Sequence, residues 1–436
     1  MSKLIQKLSD FWENIVEDQH TESKTRKILG VILVLVIIFL WANAGIRANR
    51  GHGSQLDDFV YFSKDLIYDD VNVYKEYAYD RLTIGKYPPF FGLVYAPLVP
   101  LPHWLGALVW FALSFWIVLQ SSKALGKMSN LISNRENQLN SISLWALPLL
   151  MTISVVITNL ETSQVNIAIF GLIALGLYYF AEQKIKHAGF LLGVATAIKL
   201  TPGLFVVYFA LKRKWNIVLW AAIGGLVSWG IILPIALGFD RYLDIMQSWL
   251  GILFGFVETG ALAENDQGFT NTNQSLESFF YRYFTHVDTL RGSKTLYVNV
   301  MDLPKEAIAG AMRYIKIGIL LLFLYLFRRP IKANDPRIPL EVGLIAIGTL
   351  FISPISWINH YVYMLLPFSG IVYYLRTNEK SPFNRQMTIL TVISALLVVI
   401  SPKIAQAFSL PFLGGVIGFY VCVRILLKMN KDMKEA

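Results

Sequence analysis

A chain of 436 residues that is 55% hydrophobic and only 16% charged falls well below the roughly 25% charged content of soluble domains. Its mean hydropathy of +0.50 marks a polytopic membrane protein and excludes an ordinary water-soluble fold. The formal charge of +10 would suit nucleic acid, yet the basic residues cluster in short loops between apolar runs. That is an orientation signal, and no nucleic-acid partner is expected. The single cysteine, Cys422, lies inside the last apolar run, which excludes an internal disulfide and any CxxC or Cys/His metal pattern.

In chain order, residues 1–27 carry Leu4, Ile5, Leu8, Phe11, Trp12 and Ile15 on one helical stripe. This predicts a helix lying on the inner leaflet, a cytoplasmic segment rather than a secretory leader. Ala42-Asn43-Ala44 resembles a cleavage box, but so polytopic a chain favours a retained anchor. The first span is expected over 28–46, close to the ~20 residues a bilayer needs. An outer loop, 47–87, holds Leu56-Asp57-Asp58-Phe59-Val60-Tyr61-Phe62. A carboxylate held at a water–lipid boundary is placed to take a proton from an acceptor hydroxyl. The bland reading is a solvated turn, since Asp65, Asp69, Asp70 and Asp80 lie nearby.

The arm Pro88–Pro102 is broken by Pro97, Pro100 and Pro102, and it predicts a re-entrant or half-helix element. Apolar arms follow at 104–122, 142–158, 163–181, 188–198, 202–211 and 215–237. After a long polar segment, 239–304, come 307–327, 338–352, 358–375, 386–400 and 408–426. The expected fold is all-α and polytopic, with about 11–13 transmembrane or partial helices and further helices in the outer loops. Threading the arms in order puts the basic loops on one side, with Lys24, Arg26, Lys123, Lys127, Lys212, Arg213, Lys214, Arg328, Arg329, Arg376 and Lys428 among them. The positive-inside rule makes that side the cytoplasm. Both termini are then cytoplasmic, with a tail over 429–436. Loops 47–87, 159–162, 239–304, 353–357 and 401–406 face outward in a plasma (inner) membrane.

The arm 188–211 breaks at Lys199-Leu200-Thr201-Pro202-Gly203. Eleven helical residues rise ~16 Å, half a hydrocarbon core, so Lys199 is expected deep in the membrane. A charge there costs ~3 kcal/mol or more unless it meets a polar cavity or a partner. The alternative is a lysine snorkelling to the interface. Arg313 and Lys316, three apart, share a helix face and serve either a phosphate or the lipid headgroups. His52, His103 and His286 show no ligand spacing, so neither a metal nor another cofactor is expected.

Six stretches together resemble glycosyltransferase family 87. They are the Asp-Phe and Val-Tyr elements of 57–62, Tyr87-Pro88-Pro89-Phe90-Phe91 with Ala96-Pro97-Leu98, and Gln164-Val165-Asn166. The other three are Ala188-Gly189, Gly193 and Ala197-Ile198-Lys199-Leu200-Thr201-Pro202, then Asn273-Gln274-Ser275, then Ser353-Pro354-Ile355-Ser356-Trp357-Ile358-Asn359-His360. The match runs over roughly 50–375. Three departures stand out: the acid register (Asp57 keeps the spacing to Tyr61, Asp58 the Phe neighbour), Asn359 where a first His is frequent, and Ser163 where Gly or Asn-Gly is usual.

The resemblance implies a GT-C-like catalytic bundle over 28–428 that uses a polyprenyl-phosphate sugar. Asp58 or Asp57 is then the base in an inverting transfer. Lys199, His360, Arg313 and Lys316 are placed at the donor phosphate. Gln164, Asn166, Asn273, Gln274, Arg282, Trp357 and Tyr87 are placed at sugar or acceptor. Helix capping, inter-helix hydrogen bonding and aromatic belts are the bland readings of that last set. Nucleotide sugars stay in the cytosol, so an outward site favours a sugar carried on a flipped lipid, a hexose or pentose, with mannose or arabinose suggested by the resemblance and a mannose-like sugar favoured. The acceptor is expected to be a glycolipid or glycan among the membrane lipids. The rival classes are a flippase or exporter of lipid-linked sugars, in which paired repeats are expected and none is seen here, and a polysaccharide ligase.

Overall fold

The computed structural model describes residues 23–50, 54–76, 87–133, 141–259, 269–290, 295–378 and 380–435. The in-plane helix expected over 1–27 therefore lies mostly outside the described residues. Among the described residues the structure is helical, with one isolated bridge, Asn273 to Trp357.

The chain opens with α1 (Ser23–Asn49), then α2 (Leu56–Ile67) and α3 (Val73–Glu76) in the acid-bearing loop. The Pro-rich arm forms only α4 (Phe91–Tyr95) and a 3-10 turn (Ala96–Leu98), too short to cross a bilayer. Next come α5 (His103–Ser133), α6 (Ser141–Leu150), α7 (Ile153–Glu161), α8 (Asn166–Ala181), α9 (Ile185–Ile198) and α10 (Gly203–Leu211). Then α11 (Trp215–Leu226) passes through a π-helical turn (Val227–Ile232) into α12 (Leu233–Leu237). The polar segment holds α13 (Phe239–Thr259) and α14 (Leu276–Phe284). The last third comprises α15 (Lys305–Phe327), α16 (Ile338–Ile352), a 3-10 helix (Ile358–Met364) running into α17 (Leu365–Thr377), α18 (Pro382–Val399), α19 (Lys403–Ala407) and α20 (Leu410–Glu435).

Among the described residues six segments are long and apolar enough to cross a membrane: Gly30–Asn49, His103–Ser133, Trp215–Leu237, Lys305–Phe327, Pro382–Val399 and Leu410–Met433. On α1, Leu33, Leu35 and Phe39 stand 60, 60 and 69% exposed. An apolar face this open belongs against lipid. Helices α8, α9 and α16 are shorter and apolar, and they pack inside.

Two expected arms differ from the structure. The arm 142–158 is not one straight span: α6 and α7 meet at a 70° bend. Pro148 lies inside α6 and has no N–H to give the helix ladder. Thr152 Oγ1 then donates back to the Pro148 and Leu149 carbonyls at 3.0 and 3.2 Å, a pattern that bends helices. The arm 358–375 starts as a 3-10 helix, in which residues three apart eclipse.

Small residues set the spacing of α9 against α11. Gly189 and Gly193 are four apart on α9. A Cβ at these positions would lie 2.4 Å from the Ile217 carbonyl and 2.0 Å from that of Ala221. From the other side, a Cβ on Gly224 would lie 2.4 Å from the Phe190 carbonyl. Such pairs let membrane helices touch backbone to backbone. Gly343 and Gly370 do the same for α16 against α17, each within 2.6 Å of the Pro367 or Pro339 backbone. Gly193→Val should therefore lower the thermal midpoint in detergent by the equivalent of about 1–3 kcal/mol. Gly225→Ala, whose Cβ meets nothing within 4 Å, should leave it unchanged or slightly raised. Equal midpoints for the two variants would contradict this packing.

Candidate active site

Helix α9 ends at Ile198, and Lys199 follows in an extended conformation, φ −152° and ψ 136°. The chain turns through Leu200 and Thr201, and Pro202 leads into α10. The turn leaves the half-buried Lys199 side chain at the junction of three distant segments. Its Nζ lies 3.1 Å from Asn166 Oδ1 and 3.0 Å from His360 Nε2. It also lies 5.6 Å from the centre of the Tyr87 ring. With Lys199 donating, Nε2 accepts and the ring proton of His360 sits on Nδ1.

Asn166 is the first residue of α8 and is fully buried. Its Nδ2 donates to Gln164 Oε1 at 3.3 Å and to Asn159 Oδ1 at 3.4 Å. Asn159 Nδ2 donates in turn to the Asn359 carbonyl at 2.8 Å, which ties α7 to the segment carrying His360. The loop ahead of α8 turns on Ser163, whose φ of 55° is left-handed. This is the position where the resemblance leads one to expect Gly or Asn-Gly, and Gly takes that conformation without strain. Ser163 keeps the same shape under restraint: Tyr95 Oη donates to its carbonyl at 2.8 Å and Trp110 Nε1 to that of Gln164 at 3.2 Å.

The acid-bearing helix joins this cluster from one side. Gln164 Nε2 donates to Gln55 Oε1, and Gln55 directly precedes α2. Phe59, next after the two acids, packs edge-on against Tyr87 and Phe91, with ring centroids 5.9 and 5.0 Å apart. Asp57 and Asp58 thus stand in the first turn of a helix whose buried face walls the Lys199 cluster. Asp57 Oδ1 lies 2.6 Å from His103 Nδ1, at ion-pair distance but off the line of a hydrogen bond. Asp58 lies on the exposed side.

Behind His360, Trp357 stacks with a centroid separation of 6.4 Å and an interplanar angle of 14°. A buried clamp holds this segment. Asn273 Oδ1 accepts from the Ser356 N–H at 2.9 Å, and the Gln274 N–H donates to the Ser356 carbonyl at 2.7 Å. Arg282, fully buried, donates to the carbonyls of Thr270 and Asn273 at 2.8 and 2.7 Å and to Ser409 Oγ at 2.7 Å. Burial pushes its guanidinium down to about 10, so it stays charged at neutral pH. Asn273, Gln274 and Arg282, read from the sequence as sugar contacts, thus have most of their polar atoms engaged with backbone and with Ser409. They position Trp357 and His360.

The structure brings together Lys199, His360, Asn166, Gln164 and Tyr87, with Trp357 behind. Arg313 and Lys316 do not join them: Arg313 is exposed on α15, and Lys316 Nζ lies 2.7 Å from Glu277 Oε2. Sequence reasoning missed Gln55, Asn159 and Tyr363. Tyr363 follows His360 by three residues, so the 3-10 helix sets both on one face. Its buried hydroxyl lies against Thr201, two residues after Lys199, and neither oxygen makes a well-formed hydrogen bond. Only the eclipsed geometry exposes that pairing.

Ser163→Gly should relieve the left-handed strain and stabilise the protein by up to about 1 kcal/mol. Ser163→Val should destabilise it, and thermal unfolding in detergent measures both. A valine variant as stable as wild type would mean that the turn does not need positive φ.

The family model for glycosyltransferase family 87 matches residues 86–354, which includes Tyr87, Gln164, Asn166 and Lys199 of the cluster and ends just ahead of Trp357 and His360. A polyprenol-phosphate-mannose-dependent alpha-(1-2)-phosphatidylinositol mannoside mannosyltransferase of Mycobacterium tuberculosis is 26% identical over 48% of this chain. A related pentamannoside mannosyltransferase of Mycolicibacterium smegmatis is 26% identical over 67% of it. The chain spans only 41% and 62% of the lengths of these two relatives. Among solved structures, ArnT from Cupriavidus metallidurans, crystallised with undecaprenyl phosphate, aligns over 90% of this chain and 76% of its own, at 15% identity and a TM-score of 0.35. With the family model covering well over half of the residues, the chain belongs to glycosyltransferase family 87.

Proposed function

We propose that this protein transfers a sugar, mannose-like, from a polyprenyl-phosphate donor to a glycolipid acceptor at the outer face of a plasma membrane. The observation that carries the reading is the company of Lys199. Its half-buried ammonium is met by an amide oxygen, an imidazole nitrogen and an aromatic face. Among the described residues no carboxylate pairs with it. A cation so placed is expensive to hold unless an anion completes the site, and a lipid phosphate supplies one. The mycobacterial relatives, by their names, use a polyprenol-phosphate-mannose donor and phosphatidylinositol mannoside acceptors.

In this mechanism Asp57 or Asp58 takes the proton from the acceptor hydroxyl. The freed oxygen attacks the anomeric carbon from the side opposite the phosphate, inverting that centre. The carbon–oxygen bond to the polyprenyl phosphate breaks, and Lys199 meets the charge that builds on the departing phosphate. His360 holds the lysine amine in register through Nε2. Trp357 and Tyr87 offer flat apolar faces to the sugar and the prenol head. Gln164 and Asn166 offer amide groups to the sugar hydroxyls.

Purified protein given a labelled polyprenyl-phosphate mannose and a phosphatidylinositol mannoside should form product. The double variant Asp57→Ala, Asp58→Ala should turn over about 10²–10⁴-fold more slowly. Wild-type turnover by that variant would remove the carboxylate base. Movement of the intact donor across a vesicle bilayer without its consumption would point to a flippase instead. Lys199→Ala should lower kcat/KM for the donor by roughly 10²-fold at an unchanged thermal midpoint, and unaltered kinetics would argue against the phosphate role. For orientation, Cys422 is fully buried and Tyr61 is 45% exposed. A Tyr61→Cys variant should therefore react with an impermeant maleimide in intact cells. Reaction only after lysis would overturn the outward placement.

A further inference from the structure

Helices α10 and α16 both run away from the Lys199 cluster, α10 towards Lys212 and α16 from Ser353 back to Arg337. At that opposite end of the bundle Lys212 and Glu341 form a buried ion pair of 2.7 Å. Lys212 Nζ also donates to the Arg329 carbonyl at 2.9 Å, which fixes the backbone just beyond α15. Beside this anchor, between the end of α15 and the last turns of α20, lies a cavity of about 170 Å³. Its lining includes Tyr325, Arg328, Arg329, Leu427, Asn430 and Lys431.

Three cations line this cavity and no carboxylate does. The guanidinium of Arg328 sits 3.8 Å from the centre of the Tyr325 ring and donates to the Tyr325 carbonyl, so its plane is set. Arg329 Nη1 donates to Asn430 Oδ1 at 3.1 Å, and Arg337 Nη1 reaches the same oxygen at 3.3 Å. The nearby acids are engaged or weakly held. Asp335 is paired with Arg337 at 2.6 Å. Glu435 lies 3.7 Å from Lys431 with both side chains open to solvent, a pair worth little. Leu427 of the lining is 42% exposed, and Leu324, next to the lining on α15, is 40% exposed.

We propose that this cavity binds the headgroup of an anionic phospholipid, with its acyl chains lying along the exposed apolar faces of α15 and α20. The pairing of a cationic pocket with a lipid-facing apolar wall is what an amphiphile with a negative head requires. A soluble anion would use the first feature and not the second. The site lies at the other end of the bundle from Lys199, so it is separate from the donor-phosphate reading and stands without it.

Native mass spectrometry of the full-length protein released from detergent tests this, with phosphatidylglycerol or phosphatidylcholine added at equal concentration. Wild type should retain phosphatidylglycerol selectively. The variant Arg328→Gln, Lys431→Gln should lose that retention roughly tenfold or more, whereas Lys123→Gln, Lys127→Gln, another basic pair, should keep it. Equal retention of the two lipids by wild type would overturn the proposal, as would an equal loss in both variants. Displacement of the lipid by inorganic phosphate at matched concentration would show a site for a free anion, and would overturn it too.

Discussion

A single half-buried ammonium, that of Lys199, governs how this structure is to be understood. Water at the surface would solvate it, and a carboxylate inside would neutralise it, but here it meets only neutral partners. Such an arrangement is stable when a negative ligand completes it. The surrounding helices hold the amine, an imidazole and two amides in one cluster. The chain break at Lys199–Pro202 is part of the same device. An unbroken helix would carry the side chain past the junction, whereas the extended residue turns it into the polar cluster.

Placement of the amine depends on backbone contact rather than on side-chain interdigitation. The glycines of α9 let α11 approach until carbonyl oxygens occupy the space of absent Cβ atoms. The glycines at the α16–α17 crossing do the same for the 3-10 segment that bears His360. Lipid offers no hydrophobic drive for helices to associate, so close packing and hydrogen bonds carry the load. The segment around α14 contributes rigidity by a different route. Arg282 spends its charge on two backbone carbonyls and a serine hydroxyl, and Asn273 splices its own strand-like segment to Ser356. These residues brace the segment bearing Trp357 and His360.

The two ends of the bundle use charge in opposite ways. Near the Lys212–Glu341 pair, Arg328, Arg329 and Lys431 line a cavity, and Lys212 fixes the Arg329 carbonyl beside it. At the other end the Lys199 amine has no such counter-ion among the described residues.

Composition and periodicity alone were enough to establish a multi-pass helical chain, because apolar runs of membrane length carry their own signal. The Lys199 break was equally legible, since a lysine followed by Thr-Pro inside an apolar arm violates both hydropathy and helix propensity. His360, Asn166, Gln164 and Tyr87 stood in the stretches that carry the family resemblance, and the structure gathers them around or beside Lys199. Tertiary structure decided the rest. The bend at Thr152 depends on a hydroxyl bonding back to a carbonyl, and the union of Lys199 with His360 spans 161 residues of chain. The clamp role of Arg282 follows from burial, because a sugar contact and a backbone strut have the same residue type. Tyr363 joins the site only because a 3-10 helix eclipses every third residue. Sequence reports what each residue prefers locally, whereas partners that are remote along the chain are chosen by packing.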